Sequence, residues 1–323
     1  MDSRYTSKFF TNMENLNETF SKYGVAIIPS LLDDTECKKM ISQLWDYFEH
    51  VSMKWKVPIN RNDSATWKNM QKLWPLKRML YKYMEVGHAQ VCWDLRQKRK
   101  IADVFAKIYG VETDELICSF DGFSFLPPPE KSVVDCKIKE WFHVDHAYTK
   151  PDFECIQGWV TAENVDEGDG TLVVLTKSHR LHTHVQREFN ITDNKNMYEL
   201  SEKQLNFYLK NNCKVKKITC PKGSLVLWDS RVVHCGMTPD KDRVNMNTRA
   251  VAYISYEPRS RMTKAMQRKR IKAFKDLKTT THWSAKPCIT PRLPRWYKKN
   301  SEYDITIIPN PVINDFGKKL VGY

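Results

Sequence analysis

The chain has 323 residues, 41% hydrophobic and 12% aromatic, with 11 Gly, 15 Pro and a formal net charge of +14. That balance excludes a mostly disordered chain and supplies apolar side chains for one large domain or two modest ones. No apolar run approaches the ~18 residues needed to cross a bilayer and no stretch reads as a cleaved leader, so a soluble, cytoplasmic protein is expected.

Near the N-terminus, YGVAIIPSLL predicts a strand and turn. The following DDTECKKMISQLWDYFEHV places Cys37, Met40, Ile41, Leu44, Trp45 and Phe48 on one helical face, after a capping-box start at Asp33 and Glu36. Residues 66–110 carry more helical pattern, including WDLRQKRKIADVFAKIYG, which should stop at Gly110. From about residue 115 the texture becomes short β-rich runs: LICSFDGFSFL, FECIQGWVTA, TLVVL, GSLVLW and TRAVAYISY. PPPEKSVVDCKIKE between two of them reads as an exposed loop. Such strands without long intervening helices predict an antiparallel sandwich or barrel, with the jelly roll the natural candidate because its mouth can hold a small ligand.

After Pro258 the pattern is helical again, with Met262, Met266, Ala273, Phe274 and Leu277 able to line one face and the lysines outward. From Thr279 the chain reads as a Pro-rich, irregular arm anchored by Trp283 and Trp296, or alternatively as a lid. The organisation expected is a helical region over 1–114, a double-stranded β-helix core over 115–258, and a basic helix and arm over 259–323. The fold class is mainly β with flanking helices, a cupin-like jelly roll. Charge is concentrated: residues 259–300 hold fourteen Lys and Arg against one acid, Asp276, and so carry all but about one of the net positive charges. The segment could meet nucleic acid, a phosphorylated substrate or an anionic surface, though it has no nucleic-acid fold signature.

Nine scattered cysteines without a CxxC pair predict reduced, structural thiols; Cys235 draws notice because it adjoins His234. The chemistry-bearing stretch is WFHVDHAYTK. On a strand, residues i and i+2 share a face, so His143 and Asp145 can reach one metal while Val144 and His146 point away. GSLVLWDSRVVHCG offers a third ligand, His234, after a turn at Asp229-Ser230. Two His and one carboxylate make the facial triad of non-haem Fe(II) oxygenases, which leaves positions for cosubstrate and oxygen. In TRAVAYISY, Arg249 shares a face with Val251, Tyr253 and Ser255, so its guanidinium can meet a carboxylate inside the barrel. The implied cosubstrate is 2-oxoglutarate, with Gln157 and Trp159 helping to line its pocket.

These residues resemble the phytanoyl-CoA dioxygenase family of Fe(II)/2-oxoglutarate-dependent oxygenases over residues 20–258. The resemblance rests on FSKYGVAIIPSLLDDTEC, FHVDH, QGWVTAENVDEGDGTLVVLTKSHR and GSLVLWDSRVVHCG followed by TRAVAYISY. It implies that His143, Asp145 and His234 bind iron, that Arg249 holds the 2-oxoglutarate carboxylate and that Trp159 lines the cosubstrate pocket. It also implies Fe(II), 2-oxoglutarate and O2 as cofactors, and hydroxylation of an unactivated C–H bond of a small organic or acyl-thioester substrate with release of succinate and CO2. Asp145 favours hydroxylation, since related halogenases carry a small residue there. One departure is spacing: Arg249 lies further past His234 than the family arginine and Arg243 nearer, and Arg249 is preferred because it opens a β-patterned run.

Other histidines read differently. His179, His182 and His184 look like a surface turn rather than a second metal site, because no carboxylate or Cys accompanies them at ligand spacing. His146 suits a supporting or substrate-side place, and Asp121 could either contact substrate or shape its turn. A nucleic-acid-binding or nucleic-acid-modifying jelly roll using the basic segment is the alternative function.

Overall fold

The computed structural model describes residues 5–76, 79–127, 141–240, 242–243, 245–295, 297 and 303–323. The loop expected over 127–140, with Cys136, and the Trp296 anchor fall almost wholly outside these. The strands, in chain order, are β1 (Val25–Ile28), β2 (Leu80–Tyr81), β3 (Leu116–Cys118), β4 (Phe123–Leu126), β5 (His143–Val144), β6 (Ile156–Thr161) and β7 (Thr171–Leu175). They continue with β8 (Tyr198–Glu199), β9 (Val215–Lys217), β10 (Leu225–Asp229), β11 (His234–Met237), β12 (Arg249–Ile254) and β13 (Tyr256–Pro258). The helices are α1 (Leu16–Tyr23), α2 (Asp34–Ser52), α3 (Gln90–Arg96), α4 (Arg99–Tyr109), α5 (His182–Glu188), α6 (Glu202–Lys210), α7 (Lys264–Lys275) and α8 (Asp315–Val321).

Two antiparallel sheets face one another, ordered β1-β10-β6-β12-β4-β2 and β8-β5-β11-β7-β9, with β13 and β3 pairing separately. This is the expected jelly-roll architecture, as an open two-sheet sandwich rather than a closed barrel. The pleat divides each strand between two environments. In the larger sheet, Ile156, Val160, Leu225, Leu227, Ala250, Ala252 and Ile254 turn outward into a core shared with α2, α3 and α4. Trp159, Val226, Trp228 and Val251 turn inward to meet Leu172 and Val174 of the smaller sheet. The outer face of that sheet, with Val144, Val173, Leu175 and Cys235, packs beneath α5 and α6. A Cβ on Gly158 would lie 3.0 Å from the Phe105 ring, so glycine there lets α4 sit close on β6.

The capping box forms at α2: Glu36 N–H donates to Asp33 Oδ1 at 2.8 Å and Asp33 N–H to Glu36 Oε2 at 2.9 Å. Cys37, Met40, Leu44 and Phe48 are buried as expected, and Gly110 ends α4 with φ 67°. The run 93–110 is not one helix. It breaks between α3 and α4, where Lys98 takes an extended backbone; Arg96, the last residue of α3, is fully buried and donates to the carbonyls of Gly87 and Asp121 at 2.5 Å each.

The C-terminal region departs further from expectation. The lysines of α7, Lys264, Lys269, Lys272 and Lys275, are exposed and Ala273 is buried, as expected, but Arg270 is buried as well. Arg270 donates to four carbonyls: Val321 at 3.1 Å, Ser284 at 2.6 Å, Cys118 at 2.7 Å and Leu320 at 2.8 Å. Other cations of the segment are also engaged: Arg259 with the Lys319 carbonyl, Arg261 with that of Glu154, Lys269 with that of Pro287 at 2.8 Å, and Arg292 with Glu85. The irregular arm regains order as α8, whose seven residues are too few for a legible period. Asn314 caps it, and Phe316, Leu320 and Val321 are buried. Among the described residues no helix is long and apolar enough to cross a membrane.

Candidate metal centre and cosubstrate pocket

β5 and β11 are neighbours in the smaller sheet with His143 directly opposite His234. Their side chains point into the sandwich, while the next residues, Val144 and Cys235, point to the outer core. This burial on the opposite face takes Cys235 away from the site. Asp145 follows β5 immediately, held by its N–H to the Ser230 carbonyl at 3.1 Å. The two imidazole rings lie 4.3 Å apart. Asp145 Oδ2 is 3.7 Å from His143 Nε2 and 3.4 Å from His234 Nε2. One ligand atom from each of the three residues falls within 4.8 Å of the others.

The backbone sets the tautomers. His143 Nδ1 lies 3.1 Å from the Trp141 carbonyl and His234 Nδ1 2.9 Å from that of Val232, so each Nδ1–H donates outward and each Nε2 lone pair faces Asp145. Burial and the neighbouring His143 push the His234 imidazole pKa down. Burial alone would raise the Asp145 carboxyl, but His282, His143 and His234 outweigh it and hold it well below the usual carboxylate range. A cation shared between the carboxylate and the two Nε2 atoms, a proton or a metal ion, relieves their mutual repulsion at this range, and the N2O donor set suits Fe(II). The residues therefore fit an iron ion on the observed geometry.

The same residues line a cavity of about 630 Å³ that also touches Asp121, Gln157, Trp159, Trp228, Arg249 and Tyr253. Gln157 donates to Asp145 Oδ2 at 2.9 Å, fixing the carboxylate's orientation. Arg249 is buried; its Nε donates to Ser124 Oγ at 2.8 Å and its Nη1 to the Gly170 carbonyl at 2.7 Å. No carboxylate among the described residues pairs with it. Arg243, by contrast, donates to Asp169 at 2.8 Å and lies 3.7 Å from Asp166, outside the cavity lining. Trp159 is fully buried with the Arg249 guanidinium 6.0 Å from its ring.

The remaining candidates divide. Asp121 both lines the cavity and accepts the Gly122 N–H at 2.8 Å. His146 lies behind the centre: its Nδ1 meets Ser230 Oγ at 3.0 Å, on the residue whose carbonyl receives the Asp145 N–H. Burial, and then His182, push its pKa down to about 3. The HRLHTH stretch is not wholly a surface turn. His182 is buried, stacks on Tyr148 at 4.6 Å and contacts the Ala147 carbonyl at 3.1 Å, whereas His184 is exposed.

Sequence reasoning missed two contributors. Trp141 stacks on His143 with centroids 4.3 Å apart and an interplanar angle of 9°; its i−2 position on the same face was the available signal. His282, from the arm, lines the cavity next to Trp283, and no local pattern pointed to it. The arm thus contributes to the cavity wall rather than lying wholly outside it.

The family profile for phytanoyl-CoA dioxygenase matches residues 20–238. The chain belongs to the phytanoyl-CoA dioxygenase family. It is accordingly an Fe(II)/2-oxoglutarate-dependent oxygenase, with Fe(II), 2-oxoglutarate and O2 as cofactors. A curated relative, Ava biosynthesis cluster protein O of Aspergillus versicolor, is 25% identical over 274 residues, covering 82% of this chain and 84% of that one. Among solved structures, a protein of Salmonella typhimurium LT2 is 13% identical with a TM-score of 0.60, covering 98% of this chain and 86% of that one. EctD from S. alaskensis, crystallised with 2-oxoglutarate and 5-hydroxyectoine, is 14% identical with a TM-score of 0.50 over 77% of each chain. At these identities the structures establish that the family member shares their fold.

Proposed function

We propose that the protein hydroxylates an unactivated C–H bond of a small organic or acyl-thioester substrate, releasing succinate and CO2, with His143, Asp145 and His234 as the iron ligands. The observation that carries the assignment is the convergence of one carboxylate oxygen and two lone-pair nitrogens, each nitrogen fixed by a backbone carbonyl, in a buried cavity. Arg249 is proposed to receive the distal carboxylate of 2-oxoglutarate, because it is a buried guanidinium without a carboxylate partner among the described residues, on the wall of the same cavity. Trp159 and Gln157 complete that wall.

When bound, iron with 2-oxoglutarate and O2 supplies the oxidising power for C–H cleavage. This chain's residues orient and exclude. Gln157 holds the Asp145 carboxylate in place, and Trp141 and Trp228 pack against the two imidazoles. Apolar side chains from both sheets and the arm keep bulk water from the reacting carbon. The presence of Asp145, rather than a small residue, supports hydroxylation. The engagement of Arg259, Arg261, Lys269, Arg270 and Arg292 within the fold supports a small-molecule over a nucleic-acid reading of the basic segment.

The test is succinate release by anaerobically purified protein given Fe(II), 2-oxoglutarate and O2 across a metabolite library. His143→Ala and Asp145→Ala should abolish turnover, including the uncoupled reaction. Equal consumption of 2-oxoglutarate by wild type and both variants would remove the assignment.

A further inference from the structure

The cavity has a closed inner end and an open outer one. Trp159, Trp228, Arg249 and the two imidazoles are buried, whereas Lys286 and Cys288 are exposed and Lys82 is half-buried. Five of its lining residues, Thr281, His282, Trp283, Lys286 and Cys288, come from the arm, beyond the segment that matches the family profile. The proposed chemistry uses two charged groups of the lining, Asp145 and Arg249. Of the rest, Asp121 accepts the Gly122 N–H. Lys82 and Lys286 have no hydrogen bond or ion pair with any described residue.

The lining also carries apolar side chains, Leu76, Met79, Leu80, Leu172, Met197 and Trp283. A third cation stands near this wall: Lys150 lies over the Trp283 ring at 5.8 Å and donates to Asn196, itself a lining residue, at 2.9 Å. A cavity with an apolar lining and, toward its exposed side, cations that have no partner among the described residues complements a molecule with a hydrocarbon body and an anionic head. Burial of the body drives binding, and the lysines discriminate by sign. Resting on the reading of the inner end as the iron and cosubstrate centre, we infer that the substrate is a largely apolar carboxylic acid. Its carboxylate meets Lys82 and Lys286 at the outer end, and its reacting carbon is carried inward past Trp283 and His282.

The experiment uses the full-length chain loaded anaerobically with Fe(II) and 2-oxoglutarate, titrated with 4-phenylbutanoate, 4-phenylbutanol, 4-phenylbutylamine and octanoyl-CoA and followed by tryptophan fluorescence and calorimetry. The acid should bind about tenfold more tightly than the alcohol, and the amine more weakly than either. In K82M/K286M the acid's advantage should fall to about twofold or less, with the alcohol's affinity unchanged. Equal binding of acid and alcohol, an acid preference that survives in the double variant, or lysine-dependent binding of octanoyl-CoA without binding of the free acid would each overturn the inference. Binding of Fe(II) and 2-oxoglutarate is measured first in the same samples. Its failure would strike the proposed function, whereas its success without acid preference would strike the substrate class alone.

Discussion

Replacing Arg270 with Met should destabilise the protein by about 3 kcal/mol and loosen the arm over the cavity. Four hydrogen bonds run from one fully buried guanidinium to the carbonyls of Val321, Ser284, Cys118 and Leu320. At about 1.5 kcal/mol for each bond from a charged donor, the low end of the usual range, they contribute about 6 kcal/mol. Against this stands the cost of burying the charge. Burial pushes the Arg270 pKa down from 12.5 to about 10, equivalent to about 3 kcal/mol. Methionine fills much of the volume and carries no charge, so the net loss is about 3 kcal/mol, with carbonyls left unpaired as its main source. Urea denaturation of wild type and R270M gives the stability difference. Hydrogen exchange should show faster exchange across 281–288, because the Ser284 carbonyl loses its donor, while the β5–β11 region stays protected. A midpoint and exchange pattern indistinguishable from wild type would refute the idea that this buried cation ties arm and terminal helix to the core.

Arg249→Met should raise the Kd for 2-oxoglutarate by about 100-fold, the scale of a lost buried charged pair, while Arg243→Met changes it by less than about threefold; calorimetry on metal-loaded protein distinguishes the two. Gln157→Leu should weaken Fe(II) affinity by about 10-fold or more, since it removes the donor that orients Asp145. Metal titration reads this directly, and unchanged affinity would count against the role given to that contact. Glu36 sets an acid limit on stability. Burial would raise its pKa, but Lys100, Lys98 and the Asp33 N–H outweigh it and hold it at about 2. A folded pKa below the unfolded one stabilises above pH ~4.5, and the contribution is lost as pH falls toward 2. Discounted for solvent screening it is roughly 1 kcal/mol, so the gap between wild type and E36Q in urea midpoint should narrow steadily from pH 6 to pH 3.

Period and chain order made the sheets and the candidate metal-binding pair legible. An HxD on a strand has one geometric consequence, and His234 followed the strand run GSLVLW and its turn at Asp229-Ser230. Arg249 could be preferred over Arg243 because alternation in β12 is a local property, and the structure places the former on the cavity wall and the latter in ion pairs with Asp169 and Asp166. What failed was nonlocal. Nothing in the local pattern marks Arg96 and Arg270 for burial, and only the carbonyls that tertiary contacts bring to them make it tolerable. His282 belongs to a segment with no period at all, so its arrival beside Asp145 depends on how Glu257 and Arg270 fix the arm: Ala285 N–H donates to Glu257 Oε2 at 2.7 Å, and Arg270 holds the Ser284 carbonyl.

Because His143 and His234 are direct cross-strand partners, the pairing register decides whether their imidazoles can share an ion. A slip of one residue between β5 and β11 would put the two imidazoles on opposite faces of the sheet, leaving one of them opposite a residue such as Cys235. An ion that bridges the two strands would thus proofread the assembling sheet, rewarding the correct alignment and no other.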